Sequence, residues 1–130
     1  MGYVVLRPEE QRFEAPSWRP EERVRSLVEL PRYGNLRHSR ANLWRYPAGA
    51  RGRRHVQLAQ EEVFLVVEGS FTMLLGEPPT RYELPPRSIV IAEPGTQIQV
   101  LNETESVGLI FVYGAPEDPS AEILEDGTAP

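Results

Sequence analysis

Short apolar runs, each cut off by proline or glycine, set the rhythm of the chain. The longest uninterrupted run is Val63-Phe64-Leu65-Val66-Val67, and similar segments rich in Val, Ile, Leu, Tyr and Phe recur at roughly 8–12-residue spacing, the pattern of a sandwich or barrel. Strands are expected over 3–7, 39–47, 55–58, 62–68, 70–75, 80–84, 88–92, 96–102 and 107–113. Turns fall at Gly69, Gly76-Glu77-Pro78-Pro79, Pro85-Pro86 and Pro94-Gly95. Residues 21–30 fit two templates. Val24, Leu27 and Val28 suit a helical face behind Pro20, whereas Val24, Ser26, Val28 and Leu30 alternate as a strand, the assignment adopted here. Residues 8–20 carry three prolines and are expected to form a turn or short helical piece followed by a loop wrapping the barrel. No internal repeat is evident.

A length of 130 residues suits one all-β domain. Residues 1–35 supply an N-terminal strand and wrapping segment, 36–114 the barrel, and 115–130 an acidic tail expected to be mobile. The net charge of −5 is concentrated in that tail, where Glu117, Asp118, Glu122, Glu125 and Asp126 face no base. The 14 remaining acids balance the 14 bases, so no field draws the body of the chain to phosphate backbones, and nucleic acid is not an expected partner. All 14 bases are arginine, read as compositional bias. No apolar run approaches the roughly 20 residues of a membrane-spanning helix. The start, Met1-Gly2-Tyr3-Val4-Val5-Leu6, lacks the features of a signal peptide or myristoylation site. A cytoplasmic protein is the expectation. With no cysteine there are no disulfides, and any metal must be held by nitrogen and oxygen.

Candidate chemistry gathers between Gly49 and Gly69. Residues two apart on a strand point to one side, so His55 and Gln57 project together. Glu62 follows a short connection at the start of the next strand. Imidazole, amide oxygen and carboxylate can then converge on one ion. Arg51, Arg53 and Arg54 precede His55, and a guanidinium there matches a carboxylate or phosphate bidentately. Phe64, Val66, Phe71 and Met73 read as barrel lining, and His38, among polar neighbours, as exposed.

The spacing of Gly49, His55, Gln57, Glu62 and Gly69 resembles the first motif of the cupin superfamily, G-x5-H-x-H-x3,4-E-x6-G, with Gln57 in place of the second histidine. The second motif, G-x5-P-x-G-x2-H-x3-N, aligns with Arg87, Glu93, Gly95, Ile98 and Asn102, keeping the second glycine and the asparagine. The resemblance implies a double-stranded β-helix, or jelly-roll, barrel. It also implies a metal site for a divalent transition metal (Fe, Mn, Ni, Zn or Cu) at His55, Gln57 and Glu62, with Ile98, which cannot ligate, at the fourth position. Two of four ligand positions are thereby downgraded, since an amide oxygen is a weaker donor to these metals than imidazole. Thr96, Ile98, Val100 and Asn102 share one strand face, and Gln97 and Gln99 the other.

The expected function is binding of a small polar or anionic molecule in the barrel, with Gln57, Arg53 and Ile98 as binding residues and a degraded His/Gln/Glu metal site. Without metal, Glu62 either holds its proton or pairs with His55, and such a pair, as the catalytic residues, can move protons. The alternatives are a metal-dependent dioxygenase or isomerase, and a non-catalytic ligand-sensing or structural protein. Because 63–67 is apolar on both faces, one face fills the barrel and the other needs a cover. Small cupins, by resemblance, suggest a homodimer.

Overall fold

Alternation of side chains is what builds this molecule: ten strands each turn every second residue inward, and two five-stranded antiparallel sheets close over the interior. The computed structural model describes residues 2–115 and 121–125. The strands are β1 (Ser26–Glu29), β2 (Arg40–Tyr46), β3 (Arg54–Gln57), β4 (Glu61–Glu68), β5 (Phe71–Leu75), β6 (Thr80–Leu84), β7 (Ile89–Ala92), β8 (Gln97–Leu101), β9 (Gly108–Ala115) and β10 (Ala121–Glu125). One sheet runs β1-β2-β9-β4-β7 and the other β10-β3-β8-β5-β6. The expected all-β jelly roll is the fold observed, and residues 26–29 resolve the ambiguous segment as a strand.

Inward positions of both sheets meet in one core. Phe64 and Val66 from β4 and Ile110 from β9 pack against Phe71 and Met73 of β5 and Ile98 and Val100 of β8. These side chains fill the interior between the two sheets. The outer face of the first sheet is different. In two cross-strand rows, Ala41, Tyr113, Val63 and Ile91, then Leu43, Phe111, Leu65 and Ile89, it is apolar throughout, and Ile91 is 75% exposed.

Two expectations need correction. Residues 3–7 form no strand, and Tyr3, Val4 and Val5 stay exposed. The open edge of β1 is taken instead by Glu14, whose backbone exchanges hydrogen bonds of 3.0 and 2.8 Å with Leu27. At the other end, 121–125 lie in the segment expected as a mobile tail, yet they pair with β3, Ile123 opposite His55. An unpaired β3 edge would leave backbone groups without partners, and β10 satisfies them. The remainder of that tail, 116–120 and 126–130, lies outside the described residues.

The motif glycines are turn positions that demand left-handed backbone: Gly49, Gly69 and Gly95 have φ of 76°, 74° and 90°. Arg87, at the motif position where glycine is usual, also takes φ 73°. It does so because its N–H is fixed to Val66 O at 2.8 Å. Asn102 is fully buried and ties three loops, donating from Nδ2 to Tyr46 O, Pro47 O and Ser106 O while Oδ1 accepts from Thr104. The asparagine of the second motif is thus structural here.

These backbone states predict opposite outcomes for two substitutions. Arg87→Gly should stabilise the fold by about 1 kcal/mol and Gly69→Ala should destabilise it by at least that much, since a left-handed L-residue costs roughly 1–2 kcal/mol. Paired chemical denaturation curves measure both, and a destabilised Arg87→Gly would contradict the assignment.

Candidate functional site

The polar end of the interior is built from strand alternation. Arg53 precedes β3, and His55 and Gln57 follow it on the same inward face, while Arg54 turns outward to Gln97, Gly76 O and Glu77. Glu62, near the start of β4, faces them from the opposite sheet. His55 Nε2 lies 3.6 Å from Glu62 Oε1, an ion-pair separation, while Nδ1 lies 3.2 Å from Arg53 O. That carbonyl can only accept, so Nδ1 carries a proton and Nε2 of a neutral ring would point a lone pair at a carboxylate oxygen. A proton on Nε2 relieves the opposition. Burial pushes the His55 pKa down, but the Glu62 carboxylate and the Arg53 carbonyl outweigh it, and the net direction is up.

These residues line a cavity of about 900 Å³. Its second wall is inward-facing β2, where Arg40, Asn42, Trp44 and Tyr46 alternate, and a third comes from the N-terminal segment with Trp18, Arg19 and Arg25. Trp18, Trp44, Tyr46 and Phe71 form an edge-to-face ladder with centroids 6.3, 6.2 and 5.3 Å apart. Arg25 stacks over Trp44 at 5.0 Å, donates to Tyr46 Oη at 3.3 Å and pairs with Glu22 at 2.9 Å. Burial pushes the Tyr46 phenol up, so it stays protonated. Gly52 makes room for this cluster, because a Cβ there would stand 2.8 Å from Tyr46 Oη.

The cavity has an unusual electrostatic property. Among the described residues, the buried side-chain polar atoms without a hydrogen-bond partner are Arg19 Nε and Nη1, Asn42 Oδ1, Arg53 Nε, Gln57 Oε1 and Glu62 Oε1. Every one belongs to a residue lining this cavity. The Arg19 nitrogens do have Glu21 and Glu22 carboxylates at 3.7 and 3.6 Å, beyond hydrogen-bond reach. Arg53 has no such neighbour among the described residues.

His55, Gln57, Glu62 and Arg53 all line this cavity. Ile98, expected as a binding residue, does not. It sits opposite His55 in the ladder but is 1% exposed within the apolar core, and Val100 reaches the cavity in its place. His38 is exposed and outside the cavity, and Arg51 does not line it. The contributions of β2 and the N-terminal segment were missed. The inward polar and aromatic set Arg40, Asn42, Trp44 and Tyr46 was visible as a period-two pattern, whereas nothing local marks Trp18 or Arg25 as cavity walls.

The donor set falls short of the metal site that the motif implies. Register fixes Ile98, which has no donor atom, opposite His55. Neither adjacent glutamine can replace it, as Gln97 accepts from Arg54 and Gln99 donates to Gly52 O at 3.0 Å on the other face. What remains is one imidazole, one carboxylate and one neutral amide oxygen, and the described residues contain no cluster of three His, Cys, Asp or Glu side chains. This set does not fit a four-ligand transition-metal centre.

No family model matches the chain and no curated protein matches it. Solved structures do. The fold is the double-stranded β-helix, or jelly roll, that cupin structures share. A sugar phosphate isomerase of the cupin superfamily from Silicibacter pomeroyi superposes with a TM-score of 0.77 at 21% identity, covering 93% of this chain and 82% of its own. A double-stranded β-helix protein from Klebsiella pneumoniae gives 0.73 at 20% identity over 95% and 99%. The polyketide cyclase RemF from Streptomyces resistomycificus gives 0.80 at 13% identity over 94% and 85%. At these identities the likeness establishes the fold alone. No described helix is long and apolar enough to cross a membrane.

The His55–Glu62 geometry predicts a pH dependence. A group whose folded pKa is raised stabilises the fold fully below its unfolded value, about 6.5 for histidine, and loses that contribution as pH rises through the folded value. NMR titration of the His55 ring should give a midpoint above 6.5, returning downward in Glu62→Gln. An unshifted midpoint in the parent protein would refute the pairing.

Proposed function

We propose that this protein binds a small polar, anionic molecule inside the barrel and that the His55–Glu62 pair exchanges protons with it. The observation carrying this reading is the concentration of buried, partnerless polar atoms on one cavity. Such groups cost about 1–3 kcal/mol each when left unpaired, and a ligand that supplies their partners recovers that cost. Arginines set against Trp18 and Trp44 suit a molecule with both a charged group and a flat or hydroxylated body. Proton removal and return at carbon or oxygen is the chemistry of an isomerase, epimerase or lyase. Two of the structural neighbours, from Silicibacter pomeroyi and Acidithiobacillus ferrooxidans, are described as sugar phosphate isomerases, which makes hydroxylated anions the first compounds to test. A divalent metal has no part in this reading.

Thermal unfolding against hydroxy acids, sugar phosphates and their neutral analogues tests it. A ligand at 100 times its Kd adds about 2.7 kcal/mol, so an anion should raise Tm where its neutral analogue does not, and Glu62→Gln should abolish any turnover. Near-stoichiometric iron, manganese, nickel, zinc or copper in the purified protein, lost in His55→Ala, would overturn the metal-free reading. Absence of any stabilising anion would overturn the binding reading.

We also infer that a second copy covers the outer face of the first sheet. Its two apolar rows carry no charge to repel an identical face, as a two-fold interface requires. Ile91→Asp, at an exposed position on the edge strand β7, should leave folding intact and yield monomer in sedimentation experiments. A parent protein that is already monomeric at high concentration would refute the pairing.

A further inference from the structure

Four arginines line the cavity, and their partners differ. Arg25 is locked to Glu22 and Tyr46. Arg19 lies at ion-pair distance from Glu21 and Glu22. Arg40, on the facing sheet, stacks over Trp18 at 4.8 Å. Arg53 makes no ion pair among the described residues, and its Nε is buried without an acceptor. Its own carbonyl holds His55 Nδ1, so the two side chains occupy successive inward positions, about 7 Å apart along the chain.

We infer that Arg53 anchors a carboxylate of the ligand and thereby places the adjoining atoms at the His55–Glu62 pair. The inference rests on the cavity being a ligand site and adds the class of ligand. A guanidinium and a carboxylate are both planar and pair through two parallel hydrogen bonds, with the donor Nε–H as one arm. The charge count favours carboxylate over phosphate. Arg53 balances one negative charge on this wall, and Arg40, which also makes no ion pair among the described residues, lies on the facing sheet with its guanidinium stacked over Trp18. A phosphate dianion would leave excess negative charge beside Glu62.

This role has a stability signature opposite to that of a structural arginine. The buried Nε–H of Arg53, left without an acceptor, destabilises the unliganded fold, so binding capacity is held at the expense of stability. Arg53→Met keeps most of the aliphatic stem and removes the charge.

Three probes with matched carbon skeletons separate the possibilities: D-glycerate, glycerol 3-phosphate and glycerol. The readout is the arginine Nε–Hε resonance that disappears in Arg53→Met. Glycerate should move it saturably, glycerol should leave it in place, and glycerol 3-phosphate should move it less than glycerate. Arg53→Met should raise Tm without ligand and lose the response to glycerate. A resonance that responds only to glycerol 3-phosphate, or to all three alike, overturns the carboxylate assignment, as does no response to any probe. A lower Tm in Arg53→Met makes Arg53 a structural residue and overturns it as well. Glycerate signals at the His55 ring with the Arg53 resonance unmoved would sink this inference while sustaining ligand binding in the cavity.

Discussion

Every inward position of a closed β-barrel faces the same small volume, and each must be packed against carbon or given a polar partner. This chain meets the condition at one end of its interior and not at the other. From Phe71 and Met73 to Ile110 the inner faces interlock as aliphatic and aromatic core. Beyond Phe64 and Val112 the same strands turn Glu62, His55, Gln57, Asn42 and Arg53 inward, and part of their hydrogen-bonding capacity is unused. The apolar end supplies the stability that lets the polar end remain incomplete. Folding energy scales with buried apolar area, which offsets the cost of about 1–3 kcal/mol for each unpaired polar atom.

Holding such a site open requires rigid walls. The ladder from Trp18 through Trp44 and Tyr46 to Phe71 runs from the cavity rim into the core, so the N-terminal segment is anchored to the same packing that fixes β2. Arg25 joins two of these rings to Glu22 and the buried Tyr46 hydroxyl. It is already satisfied, which distinguishes it chemically from Arg53 a short distance away on the other sheet. Two arginines of one cavity thus differ in their partners, Arg25 held by an ion pair and ring stacking and Arg53 with a buried Nε–H that has no acceptor.

Much of this was legible in the sequence because strand alternation is a local rule. Gly49, His55, Gln57, Glu62 and Gly69 sit at spacings that place three side chains on one cavity whatever the remainder of the chain does. The face shared by Ile98, Val100 and Asn102 was also readable. Depth was not: parity says which face a residue occupies, and only the packed structure says that Ile98 belongs to the core while Val100 reaches the cavity. Nor could parity assign Trp18 and Arg25, whose place depends on a segment crossing from outside the sheets. Residues 3–7 had the composition of a strand but pair with no sheet edge, and 121–125 had poor strand composition yet pair with the β3 edge. Edge availability is a property of the whole topology, and local propensity does not contain it.

Two of the motif departures illustrate how differently a position can diverge. Arg87 replaces a glycine yet keeps the glycine's backbone conformation, because the hydrogen bond to Val66 O and the turn into β7 still demand it. The substitution therefore costs strain without altering geometry. Ile98 stands where the motif has a ligand and offers no donor atom, and its aliphatic chain opposite Leu75 and beside Val100 extends the core. The buried Glu62 carboxylate needs a positive partner, and in this chain that partner is His55, with Nδ1 bound to the Arg53 carbonyl and Nε2 turned towards Glu62. The absence of a donor at position 98 and the pairing of His55 with Glu62 are linked in this sense, because a buried carboxylate must be balanced by some positive group.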